Sequence, residues 1–130
     1  MITRRTVFVA AAAVAAGVFT PAFAADKQGF SDAAFDKALK AGKPVLVEVH
    51  APWCPTCKAQ APHVGKITAE GKFKNLAIFT VDFDSQKDAL KRLNARQQST
   101  LIVFKGGKEA ARSVGDTNEA SLRTLIETAL

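Results

Sequence analysis

Two kinds of apolar spacing alternate along the chain, one helical and one extended. Ser31 followed by Ala34 and Phe35 opens a helix to about Ala41. Ser31 can cap it, and Phe30 and Phe35 stand at the two positions of a hydrophobic staple. Gly42 and Pro44 stop it. The run from Pro44 to Ala51 is β-branched and apolar at nearly every position, which predicts a central strand buried on both faces. A helical stretch then extends from the Cys54 region to about Lys72, with Pro62 inside it to kink or divide it. Leu76 to Phe83 reads as a second buried strand, and Ser85 as the cap of a helix through Leu90 and Leu93 to Asn94. Thr100 to Phe104 gives a third strand. Gly106-Gly107 is a two-residue hairpin turn into a more polar edge strand, Lys108 to Val114, which Gly115 ends. Leu122, Leu125, Ile126 and Ala129 then repeat at i, i+3, i+4 and i+7 in a C-terminal helix from Asn118.

The predicted order is α-β-α-β-α-β-β-α. Alternation gives parallel strands flanked by helices, and the hairpin adds an antiparallel edge. The expected fold is a three-layer α/β/α sandwich around a mixed sheet of four or five strands. The 130 residues, 48% hydrophobic and 23% charged, fit one domain and exclude a multidomain enzyme, a coiled-coil rod or a disordered tail.

The first 24 residues stand apart. Thr3-Arg4-Arg5-Thr6 precedes an apolar run from Val7 to Phe19, and Ala22-Phe23-Ala24 follows. A basic start, a short apolar middle and a small-residue exit are the parts of a secretory signal peptide. The run is shorter than the roughly 20 residues that span a bilayer, so no stable membrane anchor is expected. The expectation is a signal peptide over 1–24, a domain over 25–130, and a periplasmic protein exported by the twin-arginine or the general secretory route. The net charge is +6, with lysines scattered from Lys27 to Lys108 and no basic block, which argues against a nucleic-acid partner.

Export changes how Cys54 and Cys57, the only two cysteines, are read. A disulfide closing so short a loop removes little chain entropy, so the pair makes a poor staple and a good redox couple. At a strand-to-helix junction, Cys54 lies near the unpaired N–H groups of the helix start, which favour the thiolate. Cys57 is one turn on and can reach it. Cys54 then attacks a partner disulfide and Cys57 resolves the mixed disulfide, or the steps run backwards. Pro55 pre-shapes the first turn. Glu48, a carboxylate in an apolar strand, is expected to be buried, to titrate high and to take the proton of Cys57.

On Val45–Ala51 leading into Trp53-Cys54-Pro55-Thr56-Cys57-Lys58, on Pro62, Val81-Asp82-Phe83-Asp84, Thr100–Lys105 with Gly107, and Val114-Gly115, the chain resembles the thioredoxin family over about 100 residues. The resemblance implies a thiol–disulfide oxidoreductase with Cys54 as nucleophile, Cys57 as resolving thiol and an acid at Glu48, where the family usually has Asp. It implies protein thiols and disulfides as partners, a membrane thiol carrier as electron donor, and no cofactor beyond the Cys54–Cys57 disulfide. It also marks Trp53, Pro55, Thr56, Gln98, Ser99 and Thr100 as the substrate-facing residues. Two departures stand out. The family places a cis-proline immediately before the Thr100 position, where this chain has Ser99. The lysine that often neighbours the buried acid is replaced by Thr80, which is expected to raise the acid further.

Two rival readings use the same residues. Cys54, Cys57 and His50 supply three ligands for copper, zinc or a shared cluster, with His63 the one remaining histidine for a fourth. Alternatively, the cysteines are vestigial in a redox-inactive binding module.

Overall fold

The computed structural model describes residues 25–130 together with Gly17, so the expected signal peptide lies outside the described residues. A five-stranded mixed sheet has the order β1-β3-β2-β4-β5. The strands are β1 Asp26–Gly29, β2 Val45–His50, β3 Ala77–Asp82, β4 Thr100–Lys105 and β5 Lys108–Val114. β1 and β2 both run parallel to β3, while β4 is antiparallel to β2 and to β5. The helices are α1 Asp32–Lys40, α2 Pro55–Thr68, α3 Lys87–Arg92 and α4 Glu119–Glu127.

The sheet separates two apolar layers. On one side α1 and α3 cover Val47, Phe79 and Ile102; on the other α2 and α4 cover Leu46, Ile78 and Val103. Successive side chains of a strand point to opposite faces, so only a strand apolar at both parities fills both layers. β2 does so with Val45, Leu46 and Val47, each fully buried, and it lies at the centre. The staple forms as expected: Ser31 Oγ accepts from the Ala34 N–H at 3.2 Å, and the Phe30 and Phe35 rings lie 5.1 Å apart.

Four details differ from expectation. The fifth strand is β1, whose four residues are all exposed and carry no apolar alternation. The Pro62 helix is not divided: α2 runs on through Pro62, ends at Thr68 rather than Lys72, and a 3-10 turn, Gly71–Phe73, follows. α3 is shorter than expected, starting at Lys87 and ending at Arg92. Ser85 does not cap α3: the N-cap position falls on Gln86, and Ser85 lies one residue earlier, in the turn where its N–H donates to Asp82 Oδ1 at 3.0 Å.

Candidate active site

The parallel strand β2 ends at His50, and a four-residue turn leads into α2. Cys54 is the N-cap of that helix, with extended backbone (φ −81°, ψ 110°), and Pro55 occupies the first helical position. Its Sγ accepts the Cys57 N–H at 3.0 Å, the bond that a Ser or Asp side chain usually makes at this position. Cys57 lies one turn further, on the α2 face turned to the sheet. Both thiols are free, and both residues are buried.

Antiparallel pairing brings the start of β4 to the same end of the sheet. Glu48 faces Leu101 across the β2–β4 ladder, so the residue before β4 reaches the end of β2. There the Ser99 N–H donates to Val49 O at 2.9 Å, and Ser99 O accepts the Gly115 N–H at 3.0 Å. These bonds set the Ser99 hydroxyl between the sulfurs, 3.2 Å from Cys54 Sγ and 3.0 Å from Cys57 Sγ. No described peptide bond is cis, and Ser99 adopts a left-handed backbone at φ 58°.

Burial alone pushes the Cys54 thiol up. Hydrogen bonds from the Cys57 and Ser99 side chains and from the Cys57 and Thr56 backbone outweigh it, and the thiol titrates below an ordinary cysteine. All of these partners are uncharged, so the acidity comes from directed dipoles rather than a neighbouring cation.

Glu48 is not the isolated acid expected from the sequence. Its carboxylate pairs with Lys27 at 2.8 Å, and its side chain retains 14% exposure. The cation sits on β1 and not at Thr80, which pairs with Glu48 across the β2–β3 ladder. A cavity of about 300 Å³ joins Lys27, Glu48 and His50 to Cys57 and Gln60. Cys57 therefore shares an opening with a carboxylate.

Of the other marked residues, Trp53 is 53% exposed, and its Nε1–H donates to Asp84 Oδ2 at 2.9 Å. It stacks edge-on to Phe83 beside the cysteines rather than filling the core. Pro55 is exposed, Thr56 and Gln98 are half-buried, and Thr100 is buried with its hydroxyl donating to Gln97 O at 2.7 Å.

The metal ligand set does not assemble. His50 is exposed at the end of β2, and His63 Nδ1 lies 3.4 Å from Glu119 on α4. Among the described residues, no three His, Cys, Asp or Glu side chains gather as a metal site.

Sequence reasoning missed Lys27 and Gln60. Gln60 is buried, and its Nε2 donates to Asp116 O at 2.9 Å and Ser99 O at 3.4 Å, tying α2 to the Ser99 turn. Its signal was present, since Cys57 and Gln60 are three residues apart on one helix face. Lys27 gave none, because its strand is short and polar throughout.

Residues 27–128 match the thioredoxin family model. Thioredoxin-2 of Saccharomyces cerevisiae is 36% identical over 93 residues, covering 71% of this chain and 86% of the yeast protein. The chain belongs to the thioredoxin family. A thioredoxin of Echinococcus granulosus is 37% identical over 95 residues, 72% of this chain and 85% of its own length. The solved structure of Trxlp from Edwardsiella tarda EIB202 superposes with a TM-score of 0.76 at 42% identity, covering 78% of this chain and 98% of that one. Membership makes the chain a thiol–disulfide oxidoreductase with a Cys-x-x-Cys pair, Cys54 and Cys57. As in other thioredoxins, the redox group is part of the protein and no separate cofactor is used.

Proposed function

We propose that this thioredoxin is exported and exchanges disulfides with proteins in the periplasm, with Cys54 as nucleophile and Cys57 as resolving thiol. The observation that carries the reading is the Cys54 sulfur at the α2 N-terminus, ringed by uncharged donors. Its thiolate attacks a substrate disulfide and expels one substrate thiolate. Cys57 then loses its proton through the cavity it shares with Glu48, displaces the second substrate sulfur and closes the Cys54–Cys57 disulfide. Trp53, Pro55 and Thr56 on one side and Gln98 on the other form the surface that a substrate strand meets, while Ser99 and Thr100 are buried. A membrane thiol carrier returns the electrons outside the cytosol. The Arg4-Arg5 start, the apolar run and Ala22-Phe23-Ala24 support export.

Hydrogen bonds to the Cys54 thiolate favour the dithiol form, and so move the couple toward the oxidising side of thioredoxins. Insulin-reduction turnover that is lost in Cys54→Ser, with a mature periplasmic protein beginning at Ala25, is the expected result. Wild-type protein that never cycles between dithiol and disulfide would refute the reading.

A further inference from the structure

The Ser99 hydroxyl has one proton and two sulfurs within hydrogen-bond distance, at 3.2 Å from Cys54 and 3.0 Å from Cys57. It is 1% exposed, so no water competes freely for it. Its backbone is fixed from three directions, by Val49 O, the Gly115 N–H and the Gln60 amide. The same residue holds a left-handed conformation that side-chain-bearing residues rarely adopt. Among the described residues, four of the other left-handed positions are glycines and one is Asn94. A strained serine held against two reacting sulfurs points to a use for its oxygen.

We propose that Ser99 is a catalytic residue of the exchange, its hydroxyl donating to whichever of the two sulfurs carries the negative charge. The proposal rests on the exchange reading above and adds a role for this chain's own departure from its family. In the dithiol state the hydroxyl donates to the Cys54 thiolate and accepts from the Cys57 S–H. When Cys54 attacks a disulfide R–S–S–R′, the bond Cys54–S–S–R forms, R′S⁻ leaves and Cys54 no longer carries charge. The Cys57 proton passes to solvent through the cavity beside Glu48, and the hydroxyl turns to donate to the Cys57 thiolate. That thiolate then attacks the Cys54 sulfur and expels RS⁻. Two electrons pass from the cysteine pair to the substrate. The two departing thiolates take up two protons, one equivalent to that lost by Cys57 and one from solvent. The turn is a rotation about Cβ–Oγ and moves no heavy atom. Proline at this position has no proton to give.

The groups around the pair that could titrate alongside it are Glu48 with Lys27, His50 at the end of β2, and Asp84 beyond Trp53. The hydrogen-bond partners of the sulfurs are all neutral, so the effect of Ser99 is separable from theirs.

Ser99→Gly removes the hydroxyl and accepts the left-handed backbone without strain; Ser99→Ala removes it and keeps Cβ. The two variants and the wild type are each reacted with an aromatic disulfide whose thiolate is coloured. The Cys54 thiolate fraction is read from ultraviolet absorbance against pH, and the resolution rate from release of the second coloured thiolate. Both variants are expected to show about tenfold less thiolate at a pH below the midpoint, and about tenfold slower resolution. The tenfold shift in equilibrium with glutathione corresponds to a couple about 30 mV more reducing. Unchanged values in a folded Ser99→Gly variant overturn the proposal, and a change at only one sulfur overturns the exchange between them. Wild type that does not release the second thiolate at all would instead overturn the thiol-exchange reading.

Discussion

At one end of the sheet, β4 turns into β5 through Gly106 (φ 59°) and Gly107 (φ 80°), and Gly42 (φ 69°) turns α1 toward β2 nearby. At the other end, β4 begins from Ser99 at φ 58°. The backbone demand is the same, yet at the hairpin end glycine alone meets it, whereas at the cysteine end Ser99 meets it beside Gly115 (φ 72°). A left-handed residue with a Cβ costs roughly 1–2 kcal/mol, which glycine avoids. The hairpin end is built for stability, so glycine stands there. The cysteine end keeps the cost because the Ser99 oxygen touches both sulfurs. Polar burial shows the same contrast. Gln60, Ser99 and Thr100 are buried around the thiols, whereas at the hairpin end Lys105, Gly106 and Lys108 are exposed.

The largest effect expected from pressing on this contrast is at Glu48. Glu48→Gln keeps the shape and removes the carboxylate beside the path by which the Cys57 proton leaves, so resolution of the mixed disulfide is expected to slow by about 100-fold while the fold is retained. Stopped-flow release of the second substrate thiol measures it; an unchanged rate removes Glu48 from the proton path. At the hairpin end the ranking reverses. Gly107→Ala puts a Cβ at φ 80° and 3.3 Å from Leu39 O, and is expected to lose about 1–2 kcal/mol in urea unfolding with insulin turnover unaltered. Ser99→Gly should unfold within about 1 kcal/mol of the parent, since relief of the backbone offsets the lost hydroxyl contacts. If Ser99→Gly were the more destabilising of the two, the two ends would not differ as described.

The smallest effect is a pH dependence. The Cys54 thiol is more acidic folded than in an unfolded chain, where it titrates near pH 8.5. Its ionisation therefore contributes stability to the reduced protein that is fully present above that range. The contribution is lost as pH falls through the lower folded value. The urea midpoint of reduced wild type minus that of Cys54→Ser should rise with pH through this window.

Much of this was legible along the chain. β2, β3 and β4 declared themselves by short, mostly apolar runs rich in β-branched residues, and α1 and α4 by caps and helical spacing, because burial on one or two faces leaves its period in the residue types. The cysteine pair was legible too, since a strand-to-helix junction fixes where Cys54 sits. β1 was not. Its residues are all exposed, and it is a strand only because the edge of β3 offers it partners. The α3 cap was misassigned because Asp82 Oδ1 holds the Asp84 and Ser85 N–H groups in a turn, and the helix starts one residue later with Gln86 at the N-cap. The cation beside Glu48 comes not from the Thr80 position but from Lys27, 21 positions before Glu48 in the chain.

What the residue string determined was everything carried by local geometry: the elements with a periodic apolar face, the helix-start cysteine and the resolving thiol one turn on. Only the tertiary structure decided which groups meet those sulfurs. The Ser99 hydroxyl and the Lys27–Glu48 pair arrive from distant positions through sheet register, and no local pattern encodes a contact made across strands.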